Sequence, residues 1–250
     1  MTDLQPDDAY FDRMARHART HWWYEGRRRL VGQVLEARLA RDATVVDVGC
    51  GTGDNLPLFD GLTSGPVGAV ELSAHAIRHA PRSDGGARAT IALAERLPYR
   101  TGAADLLASM DVIEHLDDDA VALAEYRRVL RPGGMLLLTV PAYQWLWSRH
   151  DVTAAHRRRY GQRHLAAVVE AAGFVVERVT GFNSFLVPPA ALLRRTPLRR
   201  LSRAEADDDL GESTPALSRA IAGLGTAERR LLRRHDLPFG LSILLVAGRR

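Results

Sequence analysis

Three glycines and one acid, at fixed spacing, are the residues of this chain best suited to chemistry. Asp47-Val48-Gly49-Cys50-Gly51-Thr52-Gly53 grows out of the run Thr44–Val48, which has the β-branched composition of a buried parallel strand. Glycine at these positions lets a backbone turn tightly and approach a ligand with no Cβ in the way. Eighteen residues beyond Gly53, Glu71 ends a second apolar run, Val67–Glu71. An acid at the tip of the neighbouring strand can accept hydrogen bonds from both ribose hydroxyls of an adenosine-containing ligand. A glycine turn that merely packs, with no ligand, is the plainer alternative.

The residue after Gly53 separates two kinds of adenosine ligand. A dinucleotide fold wants a third glycine where this chain has Asp54, and its pyrophosphate rests on the helix N-terminus beginning there. A carboxylate at that point repels a diphosphate. S-adenosylmethionine (SAM) carries no phosphate, and its ammonium group favours nearby carboxylates. The residues therefore favour SAM, and a nicotinamide dinucleotide remains the alternative.

Such a turn needs a sheet to hold it. Strands are expected at 44–48, 67–71, 87–93, 104–109, 135–140, 174–179 and 241–247, and helices at 20–40, 54–59, 74–80, 117–130 and 162–172. Ser73 is a helix cap, and Asp54 or Asn55 another. Arg131-Pro132-Gly133-Gly134 breaks the helix before the fifth strand. The alternation predicts an α/β fold, a doubly wound seven-stranded mostly parallel sheet with its ligand at the carboxyl ends of the strands. Two segments interrupt it, the aromatic stretch 141–160 and the long connection 183–238. The second holds the apolar, proline-interrupted piece 185–193, an acidic stretch at 202–215 expected to be mobile, and a helix near 217–234. The expected organisation is an N-terminal helical lid (1–40), a ligand-binding core (41–182), an insertion forming a cap or a homodimer interface (183–238) and the last core strand (239–250).

Composition excludes several classes. All 34 basic residues are arginine, a bias expected of a GC-rich bacterial genome, so the basic balance is weak evidence for a nucleic-acid partner. Clusters such as Arg27-Arg28-Arg29 and Arg157-Arg158-Arg159 read as solvated faces with local ion pairs. One cysteine, Cys50, excludes an intrachain disulfide. No apolar run reaches the roughly 18 residues of a membrane span. Residues 1–12 carry four aspartates and no apolar signal core, so a cytoplasmic location is expected.

Taken together, Val45–Gly53, Glu71, Ala94-Glu95-Arg96-Leu97-Pro98-Tyr99, Asp111-Val112-Ile113-Glu114-His115 and Leu130–Gly134 resemble, in order and spacing, the motifs of class I SAM-dependent methyltransferases of the "type 11" group. The resemblance is close over about residues 43–142. It implies a Rossmann-like fold and SAM held by Asp47, Gly49, Cys50, Gly51, Gly53, Glu71, Leu72, Ala94, Glu95, Ser109 and Met110. The family often has Asp before the Ala-Glu pair. Here that residue is Leu93, so adenine recognition is expected to rest on backbone groups or on Glu95. The flanks 21–28 and 141–160 are similar to a bacterial subgroup with mostly unassigned substrates.

Methyl transfer to oxygen or nitrogen benefits from a general base. His115 is the first candidate and His156 the second, with Tyr160 and Asp151 as orienting partners; His150 is weaker. Each histidine has an ordinary structural reading beside the catalytic one. No helix-spaced histidine pair with a carboxylate stands out, so no metal is expected. Trp22, Trp23 and Tyr24 suit a lid, Trp23 shielding the sulfonium by a cation–π contact. Tyr143, Trp145 and Trp147 line an acceptor pocket or anchor their segment. The expected acceptor is a small molecule, apolar or aromatic, methylated at oxygen. The alternatives are RNA or protein methylation and a non-catalytic SAM-binding scaffold.

Overall fold

Valines of the first strand alternate between two cores, which places that strand at the middle of the molecule. In the computed structural model, which describes residues 6–18, 20–80, 88–195 and 215–250, the strands are β1 (Val45–Val48), β2 (Val67–Glu71), β3 (Arg88–Ile91), β4 (Ala104–Met110), β5 (Leu130–Pro141), β6 (Phe174–Phe182) and β7 (Ser242–Arg249). They form one sheet in the order β3-β2-β1-β4-β5-β7-β6. The pairs from β3 to β5 are parallel, and β7 runs antiparallel to both β5 and β6. Strand order reverses between β1 and β4, so the crevice at their carboxyl ends is the switch point where such sheets bind ligands.

The helices are α1 (Asp8–His17), α2 (Trp22–Leu35), α3 (Leu56–Leu62), α4 (Ala74–Ile77), α5 (Asp119–Val129), α6 (Arg149–Thr153), α7 (Gln162–Ala171), α8 (Val187–Arg195) and α9 (Pro215–Leu232). Val46, Val48 and Val70 pack with Leu123, Tyr126 and Leu165 of α5 and α7 on one face of the sheet. Val45, Val67 and Leu106 pack with Leu30, Val34, Phe59 and Leu232 of α2, α3 and α9 on the other. Both faces are thus covered, as a parallel sheet requires.

All seven expected strands and the five expected core helices form, with shifted ends. Ser73 caps α4 by accepting the N–H of Ala76. Asn55 stands at the cap position of α3 without a side-chain bond. The sequence reading missed α1, although Phe11, Met14 and Ala18 sit on one helical face and pack inward. In the connection between β6 and β7, α9 is anchored in the core rather than appended to it. Leu232 is buried, and the Glu228 carboxylate accepts the N–H groups of Asn183 and Ser184 at 2.7 Å each. The acidic stretch expected to be mobile, residues 202–214, lies outside the described residues, as does the start of the third strand at Ala87.

Candidate active site

The turn after β1 is built so that only glycine serves. Gly49 has φ +70°, and a Cβ there would lie 2.3 Å from Cγ2 of Val112. Gly51 has φ +54°, with the Met14 methyl 3.1 Å from where its Cβ would be. The Val70 carbonyl accepts the N–H groups of Gly49 and Cys50 at 2.7 and 3.0 Å. Glu71 fixes the turn from the adjacent strand. One carboxylate oxygen accepts Gly51 N–H at 2.9 Å, and the other accepts Leu72 and Ser73 N–H at 2.7 and 2.9 Å. Of the roughly four acceptor sites on a carboxylate, one on Oε2 is left for a ligand hydroxyl. The Asp54 carboxylate takes the Thr52 hydroxyl at 2.6 Å, so a negative group does stand where a dinucleotide fold needs glycine.

A cleft of about 980 Å³ opens above this turn at the carboxyl ends of the strands. Of the expected SAM-binding residues, Gly49, Cys50, Gly51, Glu71, Leu72, Ala94, Glu95, Met110 and Trp23 line it. Asp47, Gly53 and Ser109 stand behind that lining. The Ser109 hydroxyl is spent on Tyr126 at 3.2 Å. Among the described residues at this end, Oε2 of Glu95, Oδ2 of Asp47 and Oδ1 of Asn55 are buried acceptors with no protein partner. Glu95 lies in the cleft wall beside exposed Leu93, where a donor such as an adenine amino group suits it. Burial raises the Asp47 carboxyl to about 8 against the pull of Arg27. The Cys50 thiol is also pushed up, by burial first and by Asp47 and Glu71 next, so it is an inert wall residue.

At the far end of the cleft the chain gathers groups of a different kind. A single turn of 3-10 helix, Ile113–His115, follows β4 and brings in Glu114 and His115. The segment after α6 brings in His156, whose ring centroid lies 4.8 Å from that of His115 at an 80° interplanar angle. Asp151 orients His156 by accepting at Nδ1, 2.8 Å away. Arg159 holds the same carboxylate with two bonds of 2.7 and 2.8 Å, and Ser148 N–H adds a third at 2.7 Å. Burial pushes Asp151 up, but the bonds from His156 and Arg159 prevail and hold it below the usual carboxylate range. Burial, then His156, lowers His115 to about 4, so its imidazole is neutral. Glu114 is fully buried with neither oxygen hydrogen-bonded; burial, then Asp111, pushes its carboxyl well up.

Tyr160, expected beside His156, is not in the cleft. Its ring is wholly buried, and its hydroxyl donates to Asp119 at 2.6 Å. Asp151 alone of the two expected partners orients His156. His150 lines the cleft with its ring centroid 5.7 Å from that of His156. Of Tyr143, Trp145 and Trp147 only Trp147 faces the cleft. Tyr143 stacks on Trp145 and donates to the Pro238 carbonyl, which anchors the segment.

Several cleft residues lie in segments the sequence reading assigned only as a whole, the helical lid 1–40 and the apolar piece 185–193, without naming them singly. Tyr10, Phe11 and Met14 of α1 cover the glycine turn, and Pro189 and Ala190 of α8 close another side. Arg27, read as one member of a basic cluster, is buried and paired with Asp111 beneath the cleft. Asp111 has φ +56°, a backbone cost of the sort that gathers at functional sites. The other clustered arginines are likewise engaged: Arg29 with Glu25, Arg157 with Asp117, Arg158 with Asp119.

Comparison with known proteins agrees with this geometry. Residues 46–138 match a family model described as a methyltransferase domain. A Mycolicibacterium smegmatis protein named as an S-adenosylmethionine-dependent methyltransferase is 33% identical over 173 residues, covering 66% of this chain and 63% of that protein. The chain spans between about half and two thirds of the length of the first curated relatives it matches. Among solved structures, the methyltransferase held by the Haloferax volcanii Trm112 activator superposes with a TM-score of 0.62 at 20% identity, over 95% of this chain and 96% of that one. The [4+2]-cyclase SpnF follows at 0.61 and 21%, over 91% and 82%. At such identities the structural likeness speaks for the fold. The glycine turn and the Glu71 anchor both fall inside the segment 46–138 that matches the methyltransferase domain, and the chain is similar over that segment to proteins named as SAM-dependent methyltransferases.

Proposed function

We propose that this protein moves a methyl group from SAM to a small-molecule acceptor, at an oxygen, by in-line displacement. The observation that carries the reading is the division of one cleft into two chemically distinct ends. One end has the glycine turn, Glu71 and Glu95. The other has His115 and His156 against buried Glu114. When bound, SAM supplies a methyl already activated by a sulfonium, so the chain has only to position, exclude water and manage a proton.

Glu71 would hold the ribose through its remaining acceptor site, and Glu95 the adenine. His21 caps α2 by accepting Trp23 N–H at Nδ1, 3.3 Å away. In the neutral ring the proton is then on Nε2, which is buried without a partner in the cleft wall. That donor would hold the carboxylate of the amino-acid end. Trp22, Trp23 and Tyr24, with α1 above them, would keep water from the reacting atoms. The acceptor oxygen forms the new bond to carbon as the carbon–sulfur bond breaks and its electron pair stays on sulfur. The oxygen's proton passes to an imidazole at the far end. Calorimetry with SAM and with S-adenosylhomocysteine tests the donor half, with micromolar binding expected; no heat with either overturns the reading. Mass spectrometry of acceptors incubated with labelled SAM tests the oxygen assignment, and label found only on nitrogen or carbon overturns that part.

We also propose that residues 183–238 join two copies. Leu217, Leu224 and Leu231 recur every seventh residue along α9 and are each about half exposed. Among the described residues no helix is long and apolar enough to cross a membrane.

A further inference from the structure

We infer that Glu114, His115 and His156 form a binding site for one first-row divalent transition cation, of the zinc or cobalt kind, at the acceptor end of the cleft. The three side chains come from two separate stretches of chain, and one ligand atom from each lies within 4.8 Å of the others. The Glu114 oxygen and His156 Nε2 are 4.0 Å apart. An ion bound at about 2.1 Å to nitrogen and oxygen spaces its ligands by roughly 3 to 3.5 Å, so closing on it takes shifts of about an ångström.

The burial of the set is what calls for a cation. Glu114 has no exposed surface and neither of its oxygens has a hydrogen-bond partner. Buried polar atoms are normally satisfied by a partner, and two carboxyl oxygens left without one beside an imidazole nitrogen are free to ligate a cation. Nδ1 of His115 is also buried and unpartnered. His156 donates from Nδ1 to Asp151, which in the neutral ring leaves the Nε2 lone pair directed towards Glu114. A carboxylate behind the histidine is the usual device for fixing a metal ligand's tautomer, and Arg159 and Ser148 in turn fix Asp151. Two imidazoles and one carboxylate suit zinc and its neighbours rather than magnesium or calcium. With three protein ligands, coordination stays open on the side where His115 and His156 line the cleft.

What the ion would do rests on the methyl-transfer reading; that it binds does not. It would draw in an acceptor that offers an oxygen and lower the pKa of that hydroxyl, whose proton then leaves to solvent while its electron pair stays on oxygen. With the ion bound, the lone pairs of His115 and His156 would be held by the metal, so transfer of the acceptor's proton to an imidazole belongs to the metal-free protein.

The test uses the untagged full-length protein, stripped with a chelator and titrated with Zn2+ and Co2+. One equivalent per chain should survive gel filtration, and Co2+ should show visible d–d bands. Glu114→Gln and His156→Asn should abolish tight uptake, and Asp151→Asn should weaken it by about 10- to 100-fold. A second cluster, Asp12, His75 and His79, lies partly exposed on α1 and beside α4, so His75→Ala/His79→Ala is the control and should leave uptake unchanged. SAM calorimetry on each variant shows that the fold is intact. Substoichiometric uptake, or uptake removed by the control but not by Glu114→Gln, overturns the site. Stable uptake without any SAM binding would support the site and overturn the proposed function.

Discussion

Glu71 shows how one side chain can serve fold and ligand together. It ties Gly51 to the end of β2 with three backbone bonds and keeps one acceptor site for a ribose. Glu71→Gln must turn an amide NH2 towards at least one of those N–H groups. SAM affinity in calorimetry should fall by at least about tenfold, some 1.4 kcal/mol, and Glu71→Ala should bind no SAM measurably. Asp47 predicts a pH effect. Its carboxyl holds a proton up to about 8 when folded, against an ordinary value of 3.8. The folded state therefore binds that proton more tightly, and this contribution to stability is full below 3.8 and lost as pH rises towards about 8. Asp47→Asn should flatten that loss, raising the melting temperature of the ligand-free protein at pH 8 relative to wild type and changing it little at pH 4. The effect at the alkaline end should be on the order of a few kcal/mol.

At the scale of elements, the turn after β1 and the turn after β4 are made for each other. Gly49 gives way to Val112, and a methyl group at 49 meets it at 2.3 Å. Gly49→Ala should destabilise by both the clash and the left-handed backbone, and Val112→Ala in the same chain should recover only the first. The unrecovered remainder should be about 1–2 kcal/mol in denaturant titrations. Full recovery in the double variant would show that the backbone conformation at 49 is not held as described. The same interlock positions the neighbouring Glu114 and His115, so a disturbance at the cofactor turn should reach the acceptor end.

For the whole molecule, the end of α9 in the connection between β6 and β7 packs into the core. Leu232 of α9 is about 1% exposed among sheet residues, so Leu232→Ala should cost about 2–5 kcal/mol and leave one cooperative unfolding transition. A separate early transition would mean that α9 folds on its own. The outer face of the same helix carries the dimer proposal. Leu224→Asp/Leu231→Asp should convert a dimer to a monomer in sedimentation velocity with the melting temperature nearly unchanged. A wild-type chain that sediments as a monomer would remove the proposal.

Periodicity and punctuation made the sheet legible from sequence. β-branched runs, glycine stops and capping residues are local signals, and they located seven strands and the glycine turn with Glu71 to within a few residues. Sequence order with the acid at 54 also separated SAM from a dinucleotide, because that choice depends on charge at one known place in a local motif. The acceptor end was decided by tertiary structure. Glu114 looked like one letter of a motif and His156 like a histidine in an aromatic stretch; only the packing of two distant segments buries the first without a partner and aims the second at it. Tyr160 went the other way, into the core, because Asp119 offered its hydroxyl a bond there. Burial and orientation are sums over neighbours far apart in the chain, and no spacing along the sequence contains them.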